Sequence, residues 1–144
     1  MKTIAITLGD VAGIGPEIVH KALRSGKLDR RFRYEVVLEG LRPRVQPGKV
    51  SSEASRFALK SLETGVRGCR KGAYAALVTG PVSKAGLKSI GFTFPGQTEF
   101  LAHQTQTKNF AMMLVGGTLR VTLVTIHVPL RQVSSLLTSG KILQ

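Results

Sequence analysis

The chain has 144 residues, 42% hydrophobic and 6% aromatic, which suits a globular protein with a core and excludes disordered and collagen-like classes. Its single Cys69 allows no internal disulfide and no cysteine-rich metal cluster, so a reducing cytoplasm is the expected compartment. No apolar run reaches the roughly 18 residues of a membrane span, and Asp10 interrupts the N-terminal one too early for a signal peptide.

The charge is unusual: Lys plus Arg total 21 against 8 acids, a net +13. The cations spread along the chain, with loose clusters at Arg30-Arg31-Arg33, Arg42-Arg44 and Arg67-Arg70-Lys71. None interleaves with aromatics as a base-stacking platform would. The scatter favours solvated surface charge over nucleic acid as a partner, and a small basic nucleic-acid-binding protein is the rival from a different class.

In chain order, residues 3–8 form a short β-branched apolar run closed by Gly9-Asp10, a buried strand. The turn from Gly9 to Gly15 leads to Pro16 and Glu17, which open a helix to about Leu23: proline needs no donor at the first helical position, and glutamate favours the dipole's positive end. Residues 34–38 are a second strand. Two prolines, a glycine and three cations make 41–49 a loop. Ser51 or Ser52 caps a helix to about Val66, with Gly65, Gly68 and Gly72 blurring its end. Cys69 falls in the loop that follows.

Residues 75–78 are a third strand, followed by a short helix at 84–89. The turn from Phe94 leads into a helix capped by Thr98. Strands at 110–115 and 119–126 flank Gly116-Gly117-Thr118, a hairpin signal. The second of them delivers His127 to its carboxyl end, and residues 130–137 start a last helix. This order predicts an α/β protein with a mainly parallel sheet and one antiparallel hairpin.

Three places could carry chemistry. The Gly9–Gly15 turn resembles an anion-binding loop, but it lacks the third glycine of a dinucleotide fingerprint and the Lys-Ser/Thr of a phosphate loop. A tight structural turn is the simpler reading, with Asp10 free either to orient a substrate or to satisfy turn amides. Gln97 and Thr98 combine an amide, a hydroxyl and a helix N-terminus, a cradle for phosphate or carboxylate, or else simple capping. His127 suits a divalent metal or acid–base work, yet a metal needs three or four ligands, and His20 and His103 have no ligand spacing to it.

Taken together and in order, Ile6-Thr-Leu-Gly-Asp-Val-Ala-Gly-Ile-Gly-Pro-Glu17, Pro47-Gly-Lys-Val-Ser-Ser-Glu-Ala54, Leu77-Val-Thr-Gly-Pro-Val-Ser-Lys84, Phe94-Pro-Gly-Gln-Thr-Glu-Phe-Leu101, Ala111-Met-Met-Leu114 and Leu123-Val-Thr-Ile-His-Val-Pro-Leu130 resemble the 4-hydroxythreonine-4-phosphate dehydrogenase family. The resemblance implies an isocitrate/isopropylmalate dehydrogenase-like fold. It implies a homodimer that oxidises and decarboxylates a small phosphorylated hydroxy amino acid with NAD, in pyridoxal phosphate (vitamin B6) synthesis. A divalent metal such as Zn, Mg or Co, held by three histidines, would stabilise the developing alkoxide.

By the same resemblance, His127 matches the first metal histidine, and Gln97 and Thr98 match a substrate-binding pair that is commonly His-Thr. Gln97 cannot carry a histidine's charge, and Val11 stands where proline is usual. These departures leave room for a phosphothreonate or phosphoerythronate dehydrogenase. The resemblance also implies that residues 1–144 are one incomplete α/β unit and that the loop at 41–50 replaces a longer segment. The second half of the family fold, with the other metal histidines, is expected to lie outside the chain, which alone would be inactive.

Overall fold

A computed structural model describes residues 1–38, 40 and 43–143. The start of the 41–50 loop, at 41–42, and Gln144 lie outside the described residues. The chain divides into two compact units, residues 1–96 and 97–144, where the sequence reading has one.

Three strands build the first unit: β1 (Lys2–Thr7), β2 (Phe32–Val37) and β3 (Ala76–Thr79). They pair in the order β2-β1-β3, all parallel, with Ile4 opposite both Tyr34 and Ala76. Helix α1 (Gly15–Arg24) connects β1 to β2, and α2 (Ser52–Arg70) connects β2 to β3. Pro16 and Glu17 occupy the first turn of α1, as expected, and Glu17 pairs with Lys21 one turn on.

The first unit's core forms where α2 meets the sheet. Ala54, Phe57, Ala58, Leu62 and Val66 are all at least nine-tenths buried, as are Ala5, Ile6 and Val37 of the strands. Ser51 caps α2 by accepting a hydrogen bond from the Ala54 amide. The helix does not end near Val66, and Cys69 is therefore helical. Gly65 and Gly68 are close-approach positions: a Cβ at Gly65 would lie 2.6 Å from Leu77 Cδ1, and one at Gly68 would enter the Tyr74 ring. The helix stops at Gly72, which has φ +73°. There the Ala73 and Gly72 amides return to the Gly68 and Cys69 carbonyls, a Schellman ending that needs the left-handed conformation glycine adopts freely. Helix α3 (Lys84–Ser89), capped by Ser83, completes this unit.

In the second unit α4 (Gln97–Gln104) precedes an antiparallel pair, β4 (Met113–Gly116) and β5 (Leu119–Thr122), then α5 (Leu130–Leu136) and α6 (Ser139–Leu143). The last helix has no counterpart in the sequence reading. Gly117 takes φ +57° and Thr118 does not share that sign, so the two-residue loop has the type II′ geometry that matches strand twist. Both strands are shorter than expected, and β5 ends five residues before His127. The antiparallel pair contains no third strand, and His127 itself takes φ +54°, which extended backbone cannot accommodate. The expected strand-end histidine is thus a loop residue.

The mainly parallel sheet and the single hairpin agree with the expected fold class. Among the described residues no helix is long and apolar enough to cross a membrane.

Candidate functional site

In an open α/β sheet ligands gather beyond the carboxyl ends of the strands, where the winding direction reverses. With the order β2-β1-β3, that point lies between β1 and β3. Here the two strand ends are sealed by backbone. The Asp10 amide donates to the Pro81 carbonyl at 2.8 Å, and the Gly80 amide to the Thr7 carbonyl at 2.9 Å. Any Cβ at Gly9 would collide with Pro81, and one at Gly15 or Gly80 with the Leu8 carbonyl. These glycines therefore let main chain touch main chain and leave no cradle for a dinucleotide.

Asp10 takes the structural alternative. Its Oδ1 accepts a hydrogen bond from the Ala12 amide at 2.9 Å, two residues along. Val11 is buried, packed with Ala12, Ala54 and Phe57 and covered by Leu8 and Val45. The Gly48 amide donates to the Ala12 carbonyl at 2.7 Å, so the 41–50 loop is pinned onto this turn at Gly48. Val11 thus supplies core volume at this turn.

Gln97 and Thr98 lie side by side in the first turn of α4, both half-buried, with Glu99 beside them near the positive end of the helix. Thr98 is inside the helix and not its cap, because α4 begins one residue earlier, at Gln97. This turn offers an amide, a hydroxyl and the N–H groups of a helix start, a donor set that suits an anionic group. At the other end of α4 the chain reverses through Gln106, whose φ is +56°. The Thr107 and Gln106 amides bond the Ala102 and His103 carbonyls. That is again a Schellman ending, built without glycine.

His127 is exposed, in the segment between β5 and α5, two residues before Pro129 at the N-cap of α5. Among the described residues no three His, Cys, Asp or Glu side chains group where they could hold a metal ion. A three-ligand site needs donors that these residues do not supply, so we derive no step through a metal. The Cys69 thiol is pushed up by burial, which keeps it protonated and makes it a poor nucleophile.

Sequence reasoning missed the closure of the β1–β3 crevice, because the approach of residues 80–81 to Gly9 is a long-range event. The signal was the glycine spacing, read as a tight structural turn, and the structure shows which backbone that turn meets.

Comparison with known proteins gives these features a lineage. The family described as "Pyridoxal phosphate biosynthetic protein PdxA" matches residues 11–144. The chain is 36% identical over 174 residues to a 4-hydroxythreonine-4-phosphate dehydrogenase of Zymomonas mobilis, covering 96% of this chain and 52% of that protein. With the enzyme of the same name from Chromobacterium violaceum it shares 34% identity over 169 residues, covering 94% and 52%. The crystal structure of a 4-hydroxythreonine-4-phosphate dehydrogenase from Klebsiella pneumoniae superposes with a TM-score of 0.80 at 30% identity, over 99% of this chain and 56% of that one. The chain thus spans about half the length of the relatives it matches. Glycine-sealed strand ends, the α4 turn and the His127 segment all fall within or beside the matched span, and the chain belongs to the PdxA family.

Proposed function

We propose that this chain supplies part of the site of an NAD-dependent dehydrogenase that oxidises and decarboxylates a small phosphorylated hydroxy amino acid in pyridoxal phosphate synthesis. The family match over residues 11–144 carries this reading. In it, the α4 turn holds an anionic group of the substrate through the Gln97 amide, the Thr98 hydroxyl and the helix-start N–H groups. Glu99 adds negative charge to that turn, so the substrate must be held by directed hydrogen bonds rather than by bulk positive potential.

His127 offers one imidazole to a divalent metal such as zinc, magnesium or cobalt, and its remaining ligands come from outside the described residues. NAD accepts the hydride. Homodimerisation, implied by the resemblance, belongs to the same proposal. So does a shortened segment at 41–50, which the 174-residue span of the Zymomonas match against a 144-residue chain supports.

Substrate binding tests the role of α4. Calorimetric titration with 4-hydroxythreonine 4-phosphate is expected to give an interaction weakened about 5–30-fold by Gln97→Ala or Thr98→Val, one hydrogen bond each. Equal binding by wild type and both variants would remove α4 from the site.

A second reading, a phosphothreonate-type dehydrogenase, draws on one observation. A protein of Bradyrhizobium diazoefficiens provisionally named D-threonate 4-phosphate dehydrogenase is 34% identical over 96% of this chain, and Gln97 is the residue that departs from the histidine usual in the B6 enzymes. Tighter binding of threonate 4-phosphate in the same titration would favour it.

A further inference from the structure

Two arginine clusters that lie far apart in the sequence meet at one edge of the first unit. The strands β1, β2 and β3 run parallel, so their starts share an edge: Lys2 stands opposite Phe32, and the Ala75 amide donates to the Thr3 carbonyl at 2.8 Å. The same edge receives the last turns of α1 and α2 and the connections that follow them. The α1–β2 connection and its flanks bring Arg24, Lys27, Arg30, Arg31 and Arg33. The end of α2 adds Arg67, Arg70 and Lys71. With Lys2 that makes nine cations, all exposed, and six of them are arginines.

Asp29 is the acid in these segments, and its carboxylate is already held by Arg31 at 2.6 Å. Cations at helix C-termini are ordinarily explained by the helix dipole, which places about half a negative charge at each end. Two such ends and Asp29 offset about two of the nine charges. Glu35, whose carboxylate accepts from the Tyr74 hydroxyl at 2.8 Å beside the same edge, offsets another, and a surplus of about six remains of the chain's +13. Tyr34 and Tyr74 are half-buried, and Arg31 lies over the Phe32 ring at 5.9 Å, so the edge presents no open aromatic face for stacking single-stranded bases. Arginine's planar fork suits phosphate oxygens.

We propose that this edge binds the phosphodiester backbone of duplex nucleic acid without reading its base sequence. The test is fluorescence anisotropy of a short, labelled, mixed-sequence DNA duplex titrated with the full chain across a series of salt concentrations. The logarithm of the binding constant should fall linearly with the logarithm of salt. The slope should shrink by about 0.9 for each phosphate that is no longer neutralised in a variant combining Lys27→Gln, Arg30→Gln, Arg33→Gln and Arg70→Gln. A control carrying Arg56→Gln, Lys60→Gln, Lys84→Gln and Lys88→Gln loses the same charge elsewhere and should keep the wild-type slope. Circular dichroism melts verify that both variants fold. Equal losses in the two variants would reduce the effect to net charge and overturn the proposal. So would binding that vanishes at about 0.15 M salt, or tighter capture of poly-glutamate than of the duplex, which would point to an acidic protein instead.

Discussion

Gln106 and His127 are the non-glycine residues that take a positive φ among those described, +56° and +54°. Left-handed backbone costs an L-residue about 1–2 kcal/mol, less for residues with short polar side chains. At Gln106 this cost accompanies the Schellman ending of α4, where glycine is the usual occupant. Gln106→Gly should therefore raise stability by about 0.5–1 kcal/mol after its own loss of unfolded-state freedom is counted, seen as a higher thermal midpoint. An unchanged or lower midpoint would show that the Gln106 side chain contributes more than its backbone costs. Nothing in the sequence marked either residue as left-handed; at Gln106 that position is set by which carbonyls the returning amides must reach.

At the scale of elements, the glycines of the first unit separate into two energetic classes. A Cβ at Gly65 meets the flexible end of Leu77, whereas one at Gly15 meets the Leu8 backbone carbonyl. Side chains can shift and backbone in a sealed strand end cannot. Gly65→Ala should cost about 1–3 kcal/mol, the usual range for overpacking, and Gly15→Ala should cost more. Urea unfolding of both variants measures this, and a smaller loss for Gly15→Ala would contradict the close backbone approach of the start of α1 to Leu8.

The same two classes explain how much was legible beforehand. The strands β1, β2 and β3 and helices α1 and α3 stood within a residue or two of their expected bounds, since apolar runs, Pro16 and Ser83 act locally. Helix α2 ran past its expected end because Gly65 and Gly68 answer to Leu77 and Tyr74, partners on a later segment. The strand expected to carry His127 failed for a related reason: apolar residues 123–126 resemble a strand, but extended pairing needs a neighbour, and β4 ends its register at Thr122. The candidates Gln97, Thr98 and His127 were visible as residue types in place, and the resemblance gave them roles. The helix start at Gln97 and Thr98 was expected too, one residue later than it falls, whereas the left-handed loop position of His127 came only from the fold.

At the scale of the molecule, the two units differ in how much core they own. Among the residues at least nine-tenths buried, the first unit holds those of α2 and the strands, while the second holds Phe100 and Ala102 of α4. In the hairpin Leu114, Val115 and Leu119 are 56%, 65% and 66% exposed, more apolar exposure than a two-stranded ribbon supports by itself. Contiguous exposed apolar surface of this kind favours association.

The chemistry divides in the same way. The first unit spends its glycines on closing the crevice between β1 and β3, and the second carries the α4 turn and the exposed imidazole of His127. In the proposed reading the metal takes further ligands from outside the described residues, so substrate recognition and turnover should separate in this chain. The most direct measurement is NADH formation by the purified chain given 4-hydroxythreonine 4-phosphate, NAD and a divalent metal, beside the Klebsiella pneumoniae enzyme under the same conditions. The expected result is a steady rise with the full-length relative and none with this chain. Sustained NADH formation by the chain, lost on His127→Ala, would contradict it.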